Sequence, residues 1–180
     1  MRLFIGIPLA PTITEQLAAV CSRLQRPGDG LRWSSPESWH ITLQFLGSAT
    51  DAQYSCVANQ LQNVAAAPLP IHLEELGFFD RAGVFFVGVR ITPDLTRLQQ
   101  RVVDATSHCA FEPEDRPYHP HITLARKKGR SDGLRQLKPR IGNSPPFAAF
   151  TAREFLLYES FPAPSGSRYD IRARFSLDAT

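Results

Sequence analysis

The tetrapeptide His-Ile-Thr-Leu occurs twice in this chain, as His40-Ile41-Thr42-Leu43 and as His121-Ile122-Thr123-Leu124. Histidine is the one side chain whose ordinary pKa, near 6.5, lets it give or take a proton around neutral pH. Both copies lie in apolar, β-prone runs. On a strand alternate side chains share a face, so in each copy His and Thr point one way while Ile and Leu point the other. Two such strands aimed at one cleft would bring two imidazoles and two hydroxyls together. A neutral ring to take a proton, a charged ring to give one, and hydroxyls to bond the non-bridging oxygens are the parts needed to cleave a phosphodiester without a metal. A lone histidine on a strand is ordinarily structural. A repeated His-x-Thr on the same face reverses those odds.

The elements that must position these strands also repeat. Shifting the chain by the spacing of the two histidines, 121 − 40 = 81, lays Leu3-Phe4-Ile5 on Val84-Phe85-Phe86, Leu17 on Leu98, and Pro36 on Pro117. The same shift lays Leu69 and Leu76 on Phe150 and Leu157. We read two copies of one unit: strand, helix, loop, His-Thr strand, a second helical stretch, closing strand. Apolar spacing predicts helices over Thr14 to Leu24, with Thr12 or Thr14 as cap, and over Asp94 to Ala105. A third helix is expected from Ala52 to Ala66, its later counterpart broken by Gly129, Gly133 and Pro139. Ser144-Pro145-Pro146 reads as a turn before a strand from Ala152 to Glu159. Pro162, Pro164 and Gly166 mark a loop before a last strand, Tyr169 to Leu177. The expected architecture is α+β and bilobal: two antiparallel-type sheets with flanking helices around a central cleft. It forms a single domain of two pseudo-symmetric lobes, approximately 1–80 and 81–180.

The 180 residues suffice for a sizeable core, and 43% hydrophobic with 21% charged residues is ordinary for a globular protein. Lys and Arg (20) exceed Asp and Glu (17) by only 3, which permits a polyanionic partner without demanding one. The excess is concentrated: Arg126, Lys127, Lys128 and Arg130 follow the second histidine motif, and Arg135, Lys138 and Arg140 continue the stretch. Beside a His-Thr pair, this reads as a phosphate-attracting rim. Three widely spaced cysteines, Cys21, Cys56 and Cys109, form no metal-ligand pattern and read as reduced, buried small hydrophobes. A cytoplasmic home follows from that reading. The apolar run Leu3 to Ala10 is too short for a signal peptide, and no stretch approaches a membrane span.

With these residues in view the chain resembles the two-histidine phosphoesterase superfamily, and within it the bacterial RNA 2',3'-cyclic phosphodiesterases of the 2'-5' RNA ligase family. The resemblance runs through Arg2-Leu3-Phe4-Ile5-Gly6-Ile7, through Leu31-Arg32-Trp33, and through His40 to Gly47. It continues in Pro117-Tyr118-His119-Pro120-His121-Ile122-Thr123-Leu124-Ala125-Arg126, and in Leu157-Tyr158-Glu159-Ser160 with the Gly166 to Tyr169 turn. It implies hydrolysis of 2',3'-cyclic phosphate ends to 2'-phosphomonoesters. His40 would be the proton donor to the departing 3' oxygen, and His121 the acceptor of a proton from the attacking water. Thr42, Thr123 and Arg126 would hold the phosphate oxygens. Ligation of RNA ends would be the reverse reaction, driven by mass action. Phe45 and Tyr118 are candidates to stack a base. The expected partner is RNA with a 2',3'-cyclic phosphate end, or a cyclic nucleotide, met by a monomer with no membrane, metal or cofactor. Two rival readings are a zinc hydrolase using His40, His119 and His121, and a catalytically idle module that binds RNA ends. A binder has no need of a matched acid and base.

Overall fold

The computed structural model describes residues 1–143, 146–163 and 166–178. Its first half runs β1 (Arg2–Pro8), α1 (Pro11–Leu24), β2 (Leu31–Trp33), β3 (His40–Ser48), α2 (Asp51–Leu61), β4 (Leu69–Ile71) and β5 (Leu73–Phe79). The second half runs β6 (Val84–Val89), α3 (Pro93–Ser107), β7 (His121–Lys127), α4 (Gly133–Leu137), β8 (Phe150–Ala152), β9 (Glu154–Ala163) and β10 (Gly166–Ser176). One sheet has the order β10-β9-β1-β3, the other β2-β7-β6-β5, and a short ladder joins β4 to β8. Every one of these pairings is antiparallel. The architecture is the α+β one expected.

The 81-residue shift carries β1 onto β6, β3 onto β7, β4 onto β8 and β5 onto β9. The boundary expected near residue 80 nevertheless does not separate the sheets. β5 leaves its own half to pair with β6, and β9 crosses back to pair with β1. Each half thus completes the other's sheet. Pro70 pairs with Thr151, and 151 − 70 = 81, so the β4–β8 ladder joins equivalent residues.

Local chemistry accounts for the element ends. Pro11 and Pro93 occupy the first helical turn, where a missing N–H costs nothing. Thr92 caps α3 by accepting from the Leu95 N–H. Thr12 and Thr14, the expected caps, both lie inside α1, whose N-cap is Ala10, and the Thr14 hydroxyl bonds back to the Ala10 carbonyl. α2 opens on a Thr50–Gln53 capping box and ends at Leu61, short of the expected Ala66, where the Asn63 and Val64 N–H groups turn back to the Gln60 and Leu61 carbonyls. β9 continues to Ala163, so Pro162, expected in a loop, lies in strand where only β10 runs beside it. The turn at residues 144–145 and Pro164 fall outside the described residues.

Most of the core is one large cluster, and Phe4, Leu156 and Tyr158, with Tyr169 packed against them, form a second, smaller one. In the large cluster, α1 supplies Ile13, Leu17, Val20 and Leu24, and α3 supplies Leu95, Leu98 and Val102. Ile41 and Leu43 of β3, with Ile122 and Leu124 of β7, are all buried there. Each fully buried leucine or isoleucine contributes roughly 2 kcal/mol by area removed from water. The apolar half of each tetrapeptide therefore anchors the strand that presents the polar half.

The cysteine expectation is corrected. Cys56 of α2 and Cys109, just past α3, form a disulfide with Cα atoms 5.7 Å apart, and only Cys21 among the described residues is a buried free thiol. Burial pushes the Cys21 pKa up to about 12. The bridge was hidden because its 53-residue separation is closed by α2 packing beside α3, a tertiary contact. The cytoplasmic expectation, which rested on three reduced thiols, loses that support. No described helix is long and apolar enough to cross a membrane.

Candidate active site

β3 and β7 approach one another across the two sheets and bring the repeated motifs together. In both, the burial pattern alternates as expected: His and Thr are partly exposed, Ile and Leu buried. The two imidazoles are anchored alike. Nδ1 of His40 lies 2.8 Å from the Ser38 carbonyl, and Nδ1 of His121 lies 2.8 Å from the His119 carbonyl, each two residues upstream. A carbonyl only accepts, so Nδ1 must donate, and the free lone pair of each neutral ring belongs to Nε2. Neither the Thr42 nor the Thr123 hydroxyl bonds to another described residue.

A β-bulge then changes which residues share that face. Gly6 pairs with Thr42 while Ile5 pairs with Gln44, leaving Leu43 as the extra residue. Phe86 pairs with Thr123 while Phe85 pairs with Ala125, leaving Leu124 extra. Plain alternation would put Gln44 and Ala125 beside the histidines. The bulge buries them instead and turns Phe45 and Arg126 to the histidine face. These two are equivalent under the 81-residue shift, one an aromatic and the other a cation. Phe45 is 56% exposed, and its ring lies 6.0 Å from Phe4, which packs 4.6 Å from His40.

The rings around each histidine were not foreseen. Phe4, Tyr169 and Tyr158 stand 4.6, 5.3 and 5.7 Å from His40. Phe79 and Phe86 stand 5.0 and 5.4 Å from His121. Gly6 permits this packing: a Cβ there would lie 2.9 Å from the Ile41 carbonyl oxygen and 3.3 Å from the His40 ring. Cross-strand pairing of β1 with β3 was the signal available for Phe4. Nothing in the spacing located Tyr169.

Burial pushes the His40 pKa down to about 4, against the raising effect of the Ser38 carbonyl, and the positive charges of His121 and Arg126 push the same way. His121 is lowered as well, by burial first, against the raising effect of the His119 carbonyl, with the positive charges of His119 and Arg126 adding to the burial. Arg126 thus acts electrostatically on both rings. Three later members of the basic stretch are spent elsewhere: Arg135 pairs with Asp132 at 3.0 Å, Lys138 with Asp80 at 2.6 Å, and Arg140 bonds the Leu24 carbonyl. Tyr118 donates to the Thr42 carbonyl at 3.0 Å and packs on the core, joining the approach to β7 to the backbone of β3. That favours bracing the two motifs over stacking a base. Among the described residues no three His, Cys, Asp or Glu side chains group closely enough to hold a metal, so the three-imidazole zinc reading has no ligand set.

Two histidine strands held face to face by duplicated, exchanged sheets define a phosphoesterase-like scaffold, and comparison with known proteins agrees. The sequence pattern of the 2'-5' RNA ligase superfamily matches residues 14–160, and the chain belongs to that family. It is similar to the RNA 2',3'-cyclic phosphodiesterase of Thermotoga maritima, 31% identical with 95% of this chain and 92% of that protein covered. The protein of that name from Archaeoglobus fulgidus is 28% identical, with 96% and 98% covered. Among solved structures, E. coli LigT complexed with 3'-AMP superposes with a TM-score of 0.81 at 25% identity, over 98% of this chain and 97% of that one.

Proposed function

We propose that this protein is an RNA 2',3'-cyclic phosphodiesterase that opens cyclic phosphate ends to 2'-phosphomonoesters by acid–base catalysis between His40 and His121. The observation that carries the reading is the matched pair of His-x-Thr strands with identically anchored imidazoles, in a chain whose relatives bear that name. His121, as a neutral ring, takes a proton from the water that attacks phosphorus. His40, as a charged ring, gives its proton to the departing 3' oxygen. A ring of low basicity is a strong acid once charged, which suits the donor. Thr42, Thr123 and Arg126 donate to the phosphoryl oxygens, and Phe45 offers a face to the base. We read the protein as acting as a monomer. We read the interleaved halves as a single domain. The expected product from a nucleoside 2',3'-cyclic phosphate, with a chelator present throughout, is the 2'-phosphate. Formation of the 3'-phosphate, or loss of turnover on chelation, would overturn the assignment.

The pH dependence has a definite sign. In the free protein burial holds both rings neutral at pH 7, yet turnover needs one of them charged. A bound phosphate anion favours the charged form and lifts the depressed pKa values. The alkaline limb of kcat/KM, which reports the free protein, should therefore fall below pH 6.5, whereas the alkaline limb of kcat lies higher. Steady-state kinetics from pH 4 to 9 would show the separation; coincident limbs would contradict it.

A further inference from the structure

Arg32 stands directly opposite Arg126 in the β2–β7 pairing. The adjoining pair, Trp33 and Ala125, turns inward, with Ala125 fully buried and Trp33 against the core residue Phe85. Arg32 and Arg126 therefore share the opposite face, the one that carries His121 and Thr123. Like charges directly across an antiparallel pair repel. Neither guanidinium has an acidic partner among the described residues, whereas Arg168, Arg172 and Arg174 of β10 are each paired, with Asp170, Glu159 and Glu154.

The pair is also one-sided. In the other sheet β3 lies at the edge, so Phe45, the counterpart of Arg126, has no strand beyond it. β2 has been added to only one of the two motifs, and it brings a cation. The Arg32 side chain runs toward the opposing sheet, its Cδ 3.9 Å from where a Cβ on Gly166, at the start of β10, would stand. A cyclic phosphodiester carries one negative charge, which Arg126 and two hydroxyls already meet.

We propose that Arg32 binds a second phosphate, the one attached to the 5' oxygen of the nucleotide that bears the cyclic phosphate. This rests on the function proposed above and narrows its substrate from a bare cyclic nucleoside to a chain end. In RNA the second phosphate is the linkage to the preceding nucleotide; in a mononucleotide it is a 5'-phosphate.

Three substrates separate these cases: a nucleoside 2',3'-cyclic phosphate, the same compound with a 5'-phosphate, and a dinucleotide ending in the cyclic phosphate. The wild-type protein should favour one or both of the last two over the first by roughly ten-fold or more in kcat/KM, the size of a charge-assisted contact. Which of them gains identifies the source of the phosphate. Arg32→Gln should erase that preference while leaving the first substrate within two-fold, and Arg32→Lys should restore part of it. The slope of log kcat/KM against log salt for the dinucleotide should shrink by about 0.7 in Arg32→Gln, the release expected for one phosphate contact on a single strand. Equal loss on all three substrates, or no loss on any, overturns the proposal. Failure of the wild-type protein to turn over even the bare cyclic nucleoside would instead overturn the function on which it rests.

Discussion

Replacing His40 or His121 with alanine lowers kcat on a nucleoside 2',3'-cyclic phosphate by about 10²–10⁴-fold each, the usual contribution of a positioned acid or base. Binding should survive in both variants, because Thr42, Thr123 and Arg126 still hold the anion. The double variant should lose little more than either single one, since a proton taken on one side is of no use unless one is supplied on the other. Titration of the inert variants with the 2'-phosphate product, beside turnover measured on the wild-type protein, provides the check. Turnover in either single variant within ten-fold of wild type would show that the chemistry lies elsewhere. Simple multiplication of the two losses would show that the rings act independently.

Arg126→Gln is expected to cost about 10²–10³ in kcat, the loss seen when one preorganised donor to a developing oxyanion is removed. A second effect distinguishes it from a binding defect. Arg126 lowers the pKa of both histidines, so its removal should raise both and move the alkaline limb of kcat/KM to higher pH. A variant that loses activity with an unmoved pH profile would mean that the guanidinium acts on the substrate alone. Retention of full activity would remove Arg126 from the site altogether. Exposure of Arg126 makes gross misfolding an unsuitable explanation for either result.

The repeat was legible because it obeys two simple periods. Two-residue alternation put His40 with Thr42 and His121 with Thr123, and the 81-residue shift located the strands and helices that carry them. What escaped was anything decided by one strand against another. The extra residues Leu43 and Leu124 leave no mark in composition, yet they bring Phe45 and Arg126 round to the histidines. The Tyr118 hydroxyl bond to Thr42 joins residues 76 apart, and the Cys56–Cys109 bridge depends on two helices meeting. The crossing of β5 and β9 between the halves was hidden for the same reason. Hydrophobic pattern says that a closing strand exists, but not whose edge it will fill.

That exchange of closing strands decides how the protein comes apart. β5 and β9 act as a reciprocal clasp, so severing the connection between Phe79 and Val84 would leave two fragments, each missing a strand that its own sheet requires. One fragment would hold His40 and the other His121, and neither would have a finished scaffold. Because both halves belong to one chain, the clasp need not be symmetric in its side chains: Arg126 stands on one side where Phe45 stands on the other.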